Sequence, residues 1–447
     1  MLQCGNSRCR PDIRGRPEPA PDQGLGLAAQ PHRVDSRAMT DTPSSAGMAP
    51  REFVAFIAAV MAVNALGVDL MLPALADIGR DLMVTEANHR QWVVTVYMVG
   101  FGIGQLVYGP LADRYGRRPV LVATLAGFIA ASVFAAGSAS FAALLGARLL
   151  QGLMSASTRV LAVAIVRDRE SGRQMARTMS VAQMIFFIVP IMAPTLGQGL
   201  LAFGPWRVIF YGLAVFAAVV LAWSSLRLGE TLPVARRRPL SLANLAGSYR
   251  LTLTNRYSVG YALAASLTFG GIIAFVSSAQ QIFVEEFGAG RRFTLLFAAC
   301  AFSMGLASFA NSRLVERLGT RLISQSAVLA LIALSVIHVA IILNGHETLV
   351  SFMILQASSM TCIGLCGSNF GAMAMEPVGH IAGSASSVQG FITSIGAVLV
   401  GSAIGQSYAG TTLPLAIGYL GIGVAVLALV WVVEKGELFR PRMAEGA

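Results

Sequence analysis

The sequence predicts an all-α membrane protein of twelve transmembrane helices in two six-helix halves, on three observations. Hydrophobic residues make up 55% of the 447 and charged residues 12%, with a mean hydropathy of +0.66; a soluble chain of this length needs far more charge to cover its surface. Apolar runs of about 20 residues, enough to cross a hydrocarbon core as helix, recur from Phe53 onward. The octapeptide LADRYGRR, Leu111 to Arg118, returns as LVERLGTR, Leu314 to Arg321, 203 residues further on. Leucine, acid, arginine, glycine and final arginine keep their offsets, which points to a duplicated carrier whose halves move against each other.

The runs fall at 53–75, 91–111, 119–138, 141–166, 178–200, 206–226, 257–281, 293–314, 322–343, 348–374, 381–408 and 412–433. None alternates apolar with polar residues as a membrane barrel strand does, so helix is the reading for each. The eleventh is long enough to tilt or to bend at its glycines. A polar stretch at 227–256 joins the sixth run to the seventh and divides the chain into halves at 53–226 and 257–433. Residues 1–52 are rich in Pro, Gly, Ser and Arg and hold no apolar core of a signal peptide, so a disordered cytoplasmic tail is expected. Met39 and Met48 are expected alternative starts. A second cytoplasmic tail is expected at 434–447.

The net charge of +11 is topological. With the N-terminus inside, the inner loops and C-terminal tail hold nineteen Lys and Arg, and the outer loops five. That asymmetry obeys the positive-inside rule and places both termini in the cytoplasm; no nucleic-acid partner is implied.

Several chemistries are excluded. Lys435, the only lysine, follows the last span. There is therefore no Walker A loop and no Schiff-base lysine, and an ion gradient or a partner must drive any pumping. No HExxH, GxSxG or clustered acid pair suggests an enzyme. Cys362 and Cys366 share a helical face without a histidine at ligand spacing and read as packing residues; no metal or cofactor is expected.

Asp69 is the one carboxylate inside any of the twelve runs. An acid there costs roughly 2.5–3.5 kcal/mol on insertion scales, which argues for an interior position and a use in carrying a proton. The fourth span supplies a counter-charge. Arg148, Gln151, Ser155, Thr158 and Arg159 fall within about a 100° arc, a polar stripe facing a cavity or another polar helix. Helix direction puts Asp69 and Arg148 at similar depth, in the outer half of the membrane. Further stripes carry Gln183, Phe187, Pro190, Pro194 and Gln198 on the fifth span, Ser386, Gln389 and Thr393 on the eleventh, and Tyr97 and Tyr108 on the second. Tyr97, Gln151, Gln183, Phe187 and Gln389 are the candidate substrate contacts. A pocket so lined suits an uncharged or cationic amphiphile better than a sugar or a phosphate.

At this point the chain resembles the major facilitator superfamily, and within it the drug:proton antiporters of the bicyclomycin/chloramphenicol resistance type, from about Phe53 to Trp431. GPLADRYGRR, Gly109 to Arg118, is similar to the family's loop motif. RLLQG, Arg148 to Gly152, is similar to the motif whose arginine is tied to proton transfer. VDLMLPAL, PIMAPTLGQG, PWRVIF and GSASSVQG resemble further family segments. The chain departs from the pattern at Met71, Val189, Gln198 and Arg159. The resemblance implies proton coupling through Asp69 and Arg148. It also implies a conformational latch of Gly109, Asp113, Arg114, Gly116, Arg117, Arg118 and Asp168. The expected protein is a multi-pass exporter of the bacterial cytoplasmic membrane, not an enzyme, exchanging small hydrophobic or amphiphilic compounds for protons as a monomer. An importer of a small nutrient with the same fold is the alternative.

Overall fold

Pro50 lacks the N–H that a first helical turn leaves unused, and the first long helix begins there. The computed structural model describes residues 48–237 and 242–439, apart from the side chains of 173, 176, 180–187, 242–245, 291 and 380. The tail expectations for 1–47 and 440–447 lie outside the described residues. Twelve long helices follow one another: α1 (Pro50–Asp69), α2 (Trp92–Tyr115), α3 (Arg117–Ala136), α4 (Phe141–Arg169), α5 (Gly172–Leu201), α6 (Arg207–Arg227), α7 (Arg256–Gln280), α8 (Phe293–Leu318), α9 (Thr320–Leu343), α10 (Leu349–Met375), α11 (Ala382–Gln406) and α12 (Leu413–Val433). Eleven of them are long and apolar enough to cross a membrane. The remaining one, α5, is 30 residues long, with Ile188–Leu201 as its described apolar part.

The first run, expected as one helix over 53–75, is broken. α1 stops at Asp69, a 3-10 turn spans Leu72–Ala74, and a short helix continues over Leu75–Asp81. Pro73 is the reason: it cannot donate to the helical ladder, and it disfavours helical backbone at the residue before it. The linker, read as polar connection, contains a helix at Leu242–Thr254.

The repeat is present in the backbone. Gly116 ends α2 with φ +101° and ψ 159°, and Gly319 ends α8 with φ +77° and ψ 159°. This region is open almost only to glycine, so each copy turns one helix directly into the next. The final arginine of each copy anchors that corner to the last helix of its own half. Arg118 donates to the Ser225 carbonyl at 2.6 Å, and Arg321 pairs with Glu434 at 2.9 Å. We call the end of the bundle that bears both corners the repeat face, and the other the distal face.

Helices α2 and α4 meet backbone to backbone. A Cβ on Gly100 would lie 2.1 Å from the Leu149 oxygen, and one on Gly152 1.8 Å from the Tyr97 oxygen; only glycine permits that approach. The halves meet along α2 and α11, where Gly102 faces Ser394 and Ile395. Hydrogen bonds line this seam. Asn88 donates to the Gln406 and Tyr408 carbonyls at 2.9 and 2.8 Å, and Gln91 to Gln281 Oε1 at 2.6 Å. Thr95 Oγ1 and Ser402 Oγ lie 3.1 Å apart, and Gln105 donates to Ser394 at 2.7 Å. Arg90 and Glu285 add an ion pair at 3.0 Å, and Thr294 of α8 reaches Gln198 of α5 at 3.4 Å. Among the described residues, these bonds between the halves run from the distal face to the middle of α2.

Candidate functional site

Helix α4 starts cleanly because the Ser140 side chain accepts from the Ala143 amide at 3.2 Å. Its register then sets Arg148 into the N-terminal half with no exposed surface. Its three nitrogens all find neutral acceptors: Nε the Val93 carbonyl at 3.0 Å, Nη1 Gln151 Oε1 at 2.8 Å, and Nη2 the Gly67 carbonyl at 2.9 Å. The guanidinium also lies 4.2 Å from the Tyr97 ring centroid, a cation–π contact strengthened by the absence of water. Gln151 in turn donates to Ser132 at 2.6 Å.

Asp69 is buried at 5% exposure, at the end of α1 where the chain breaks. Asp69 and Arg148 do come to one level, since Arg148 binds the carbonyl two residues before Asp69. They do not form an ion pair: among the described residues none within 4 Å involves Asp69. The acid stands in low dielectric with a cation held nearby by other groups.

A second cluster lies one turn toward the repeat face. The Tyr97 hydroxyl is 2.8 Å from Ser155 Oγ and 3.1 Å from Asn64 Oδ1, with Ser155 Oγ 3.2 Å from Asn64. Tyr97 and Gln151, read as substrate contacts, thus sit in one buried network around Arg148. Gln389 belongs elsewhere, donating to Ser258 Oγ and the Ala374 carbonyl, each at 2.8 Å, and tying α11 to α7 and α10. Gln183 and Phe187 lie outside the described side chains. Asn64 was not singled out from the sequence, although an asparagine in an apolar run five residues before the membrane acid is itself a signal.

The repeat face carries the charged residues of the loop motif. Arg117 is 4% exposed and sits between Asp113 at 2.6 Å and Asp168 at 3.0 Å. Its amide, at the N-terminus of α3, donates to Glu230 Oε1 at 2.9 Å. A carboxylate there satisfies an otherwise unused donor and complements the helix dipole. Glu230 was missed in the sequence, because only the fold brings the linker against Gly116. Arg114 stacks on the Tyr115 ring at 5.3 Å. Gly109 stands against Ser387 of α11, whose Oγ would lie 3.1 Å from an added Cβ.

Comparison with known proteins agrees with this architecture. Residues 57–401 match the model of the Major Facilitator Superfamily. The chain is 32% identical over 359 residues to the MFS-type transporter YdgK of Bacillus subtilis, covering 79% of this chain and 88% of the relative. It is 29% identical over 357 residues to a bicyclomycin resistance protein homolog of Haemophilus influenzae, covering 78% and 87%. A crystal structure of the human organic anion transporter MFSD10 superposes with a TM-score of 0.60 at 19% identity, over 86% of this chain and 100% of that one, a likeness of fold.

Proposed function

The chain belongs to the Major Facilitator Superfamily, and on that premise we propose that this membrane transporter exports small hydrophobic or amphiphilic compounds in exchange for protons. The observation that carries the reading is the buried Asp69 beside an Arg148 whose bonds all go to neutral groups. Such an arrangement lets the acid gain and lose a proton without first breaking an ion pair. The similarity to a bicyclomycin resistance homolog supports export over uptake.

The repeat face is taken as cytoplasmic, in keeping with the arginines of both octapeptides. With the distal seam closed, this conformation would admit compounds from the cytoplasm. Rocking of the halves would then close Arg117, Asp113 and Asp168 against the partner half and open the seam. A proton arriving at Asp69 from outside would reset the cycle.

Inverted membrane vesicles with an acidic interior test this directly. Adding candidate compounds should release protons through the wild type and not through Asp69→Asn. Unchanged release by that variant would refute the assignment, and uptake of compounds together with protons in right-side-out vesicles would favour the importer.

A further inference from the structure

We propose that the linker helix splints α2: the Tyr249 hydroxyl supplies the hydrogen bond that Pro110 withholds, and its withdrawal lets α2 bend and carry the loop motif with it. The inference rests on the rocking of the halves in the reading above and is independent of what is carried.

Pro110 lies inside α2. In a regular helix residue 110 donates its amide to the Leu106 carbonyl, four residues earlier. Proline has no N–H and leaves that oxygen without its ladder partner. Tyr249 makes good the loss. Its hydroxyl donates to the Leu106 oxygen at 3.1 Å, from a half-buried side chain. Burial raises the pKa of this hydroxyl above that of an ordinary tyrosine, so it remains a donor throughout the physiological range. The other copy of the repeat needs no such help. The residue 203 positions on from Pro110 is Arg313, which has the amide that the ladder of α8 requires.

The donor travels with the opposite half of the molecule. The helix at Leu242–Thr254 ends at Asn255, whose side chain caps α7 by accepting from the Tyr257 and Ser258 amides at 3.1 and 3.0 Å. A single residue thus joins the linker helix to α7, and the helix also packs on α11. It is part of the C-terminal half in its contacts, whereas Leu106 belongs to the N-terminal half. Nearer its start the linker meets α3, where Glu230 accepts from the Arg117 amide at 2.9 Å. The linker therefore holds both ends of the segment 106–117, which contains Asp113.

That segment is where α2 is softest. Gly104 and Gly109 stand beside the missing bond, and a broken ladder next to glycine is where helices kink. With the hydroxyl in place, the Leu106 carbonyl is satisfied and the last turns of α2 stay in line with the rest. Rocking of the halves draws the hydroxyl away and frees the bend. A bend at 106–110 moves Asp113, at the end of α2, relative to Asp168 of α4, the two carboxylates that Arg117 bridges. The movement of one half is thereby passed to the latch of the other.

Amide hydrogen exchange, read by mass spectrometry on the full chain in lipid nanodiscs, tests the splint with a double-variant cycle. Tyr249→Phe keeps the ring and removes the donor. The amides of residues 111–116 should then exchange faster by about two- to tenfold, the worth of one neutral hydrogen bond. Pro110→Ala restores the ladder amide, so adding Tyr249→Phe to that variant should leave the same amides unchanged. Exchange that ignores Tyr249→Phe in the otherwise wild-type chain overturns the proposal. Equal acceleration with and without Pro110→Ala also overturns it, because the tyrosine would then act through packing and not through the proline gap. Failure of the export reading looks different. A cycle that closes as described, in a protein whose vesicles release no protons on adding compounds, removes export and keeps the splint. Proton release by a protein whose exchange ignores Tyr249 does the opposite.

Discussion

The Nη2 atom of Arg148 donates to the main-chain oxygen of Gly67 at 2.9 Å, joining the buried cation to the turn of α1 that ends in Asp69. The two charged groups are thus coupled through a shared piece of backbone. A proton bound or released at Asp69 changes the field on a guanidinium already held on three sides, so the response passes to α4 and α2 as a strain on those three bonds.

Asp69→Asn removes the titrating group and keeps its volume. Proton-driven efflux from vesicles should fall to background, while the thermal unfolding midpoint of the purified protein stays within a few degrees of wild type or rises. Loss of the folded protein would instead assign Asp69 a structural role at the Pro73 break.

Truncation at Arg148 is expected to be far more damaging to the fold. Arg148→Ala abandons the Val93 and Gly67 carbonyls and Gln151 Oε1 in a dry interior, a loss of roughly 2–4 kcal/mol. Arg148→Lys keeps the charge but not the three-pointed geometry. It should fold better than the alanine variant and still transport poorly. Denaturation and transport of the two variants, measured together, separate the two demands.

Closure of the distal face can be fixed covalently. Thr95 and Ser402 bring their hydroxyls within 3.1 Å of each other across the halves, so cysteines at both positions are placed to form a disulfide. The oxidised Thr95→Cys/Ser402→Cys protein should not transport, and reduction should restore activity. Full activity in the cross-linked state would mean that this seam never opens.

The two corner glycines differ in surroundings though not in backbone. Gly116→Ala should cost about 1–3 kcal/mol in backbone strain, and more because its Cβ would run into Glu230. Gly319→Ala meets the same strain in open space, so its unfolding midpoint should fall less. Equal losses would show that the Glu230 contact is easily displaced.

Arg117 is expected to govern rate and leave selection alone. Arg117→Ala leaves Asp168 and Asp113 facing each other without the cation between them, so turnover should drop severalfold at unchanged relative preference among substrates. A competition assay with a panel of compounds checks this, and an altered ranking would move Arg117 into the binding site.

What the sequence made legible was whatever depends on local pattern. Hydropathy located the twelve helices to within several residues, and the octapeptide carries Gly116 at the corner and Asp113 and Arg117 where their ion pair forms. Two things escaped it for the same reason. Opposite charges at one depth suggested that Asp69 and Arg148 would meet, but backbone oxygens exposed by close glycine packing satisfy the arginine first, and a linear chain does not display free carbonyls. Glu230 likewise lies 113 residues from the amide it caps, and no spacing rule links them. Pro73 is visible in the sequence, and it breaks the helix inside an otherwise continuous run of apolar residues.

The seam between the halves and the interior of each half are fastened by different materials. At the distal seam the bonds are largely between amides, hydroxyls and carbonyls, with Arg90–Glu285 as the ionic exception. The carboxylate–guanidinium pairs Arg117–Asp168, Arg227–Glu52 and Arg321–Glu434 on the repeat face, like Arg207–Asp81 on the distal face, each lie within one half. Mobile ions weaken exposed pairs over a Debye length of about 8 Å at 0.15 M but leave neutral hydrogen bonds almost untouched. A cell's surroundings swing between dilute and briny, while its interior is held nearly constant. Held mostly by bonds between neutral groups, the seam between the halves keeps its strength whether the solution around it is dilute or briny.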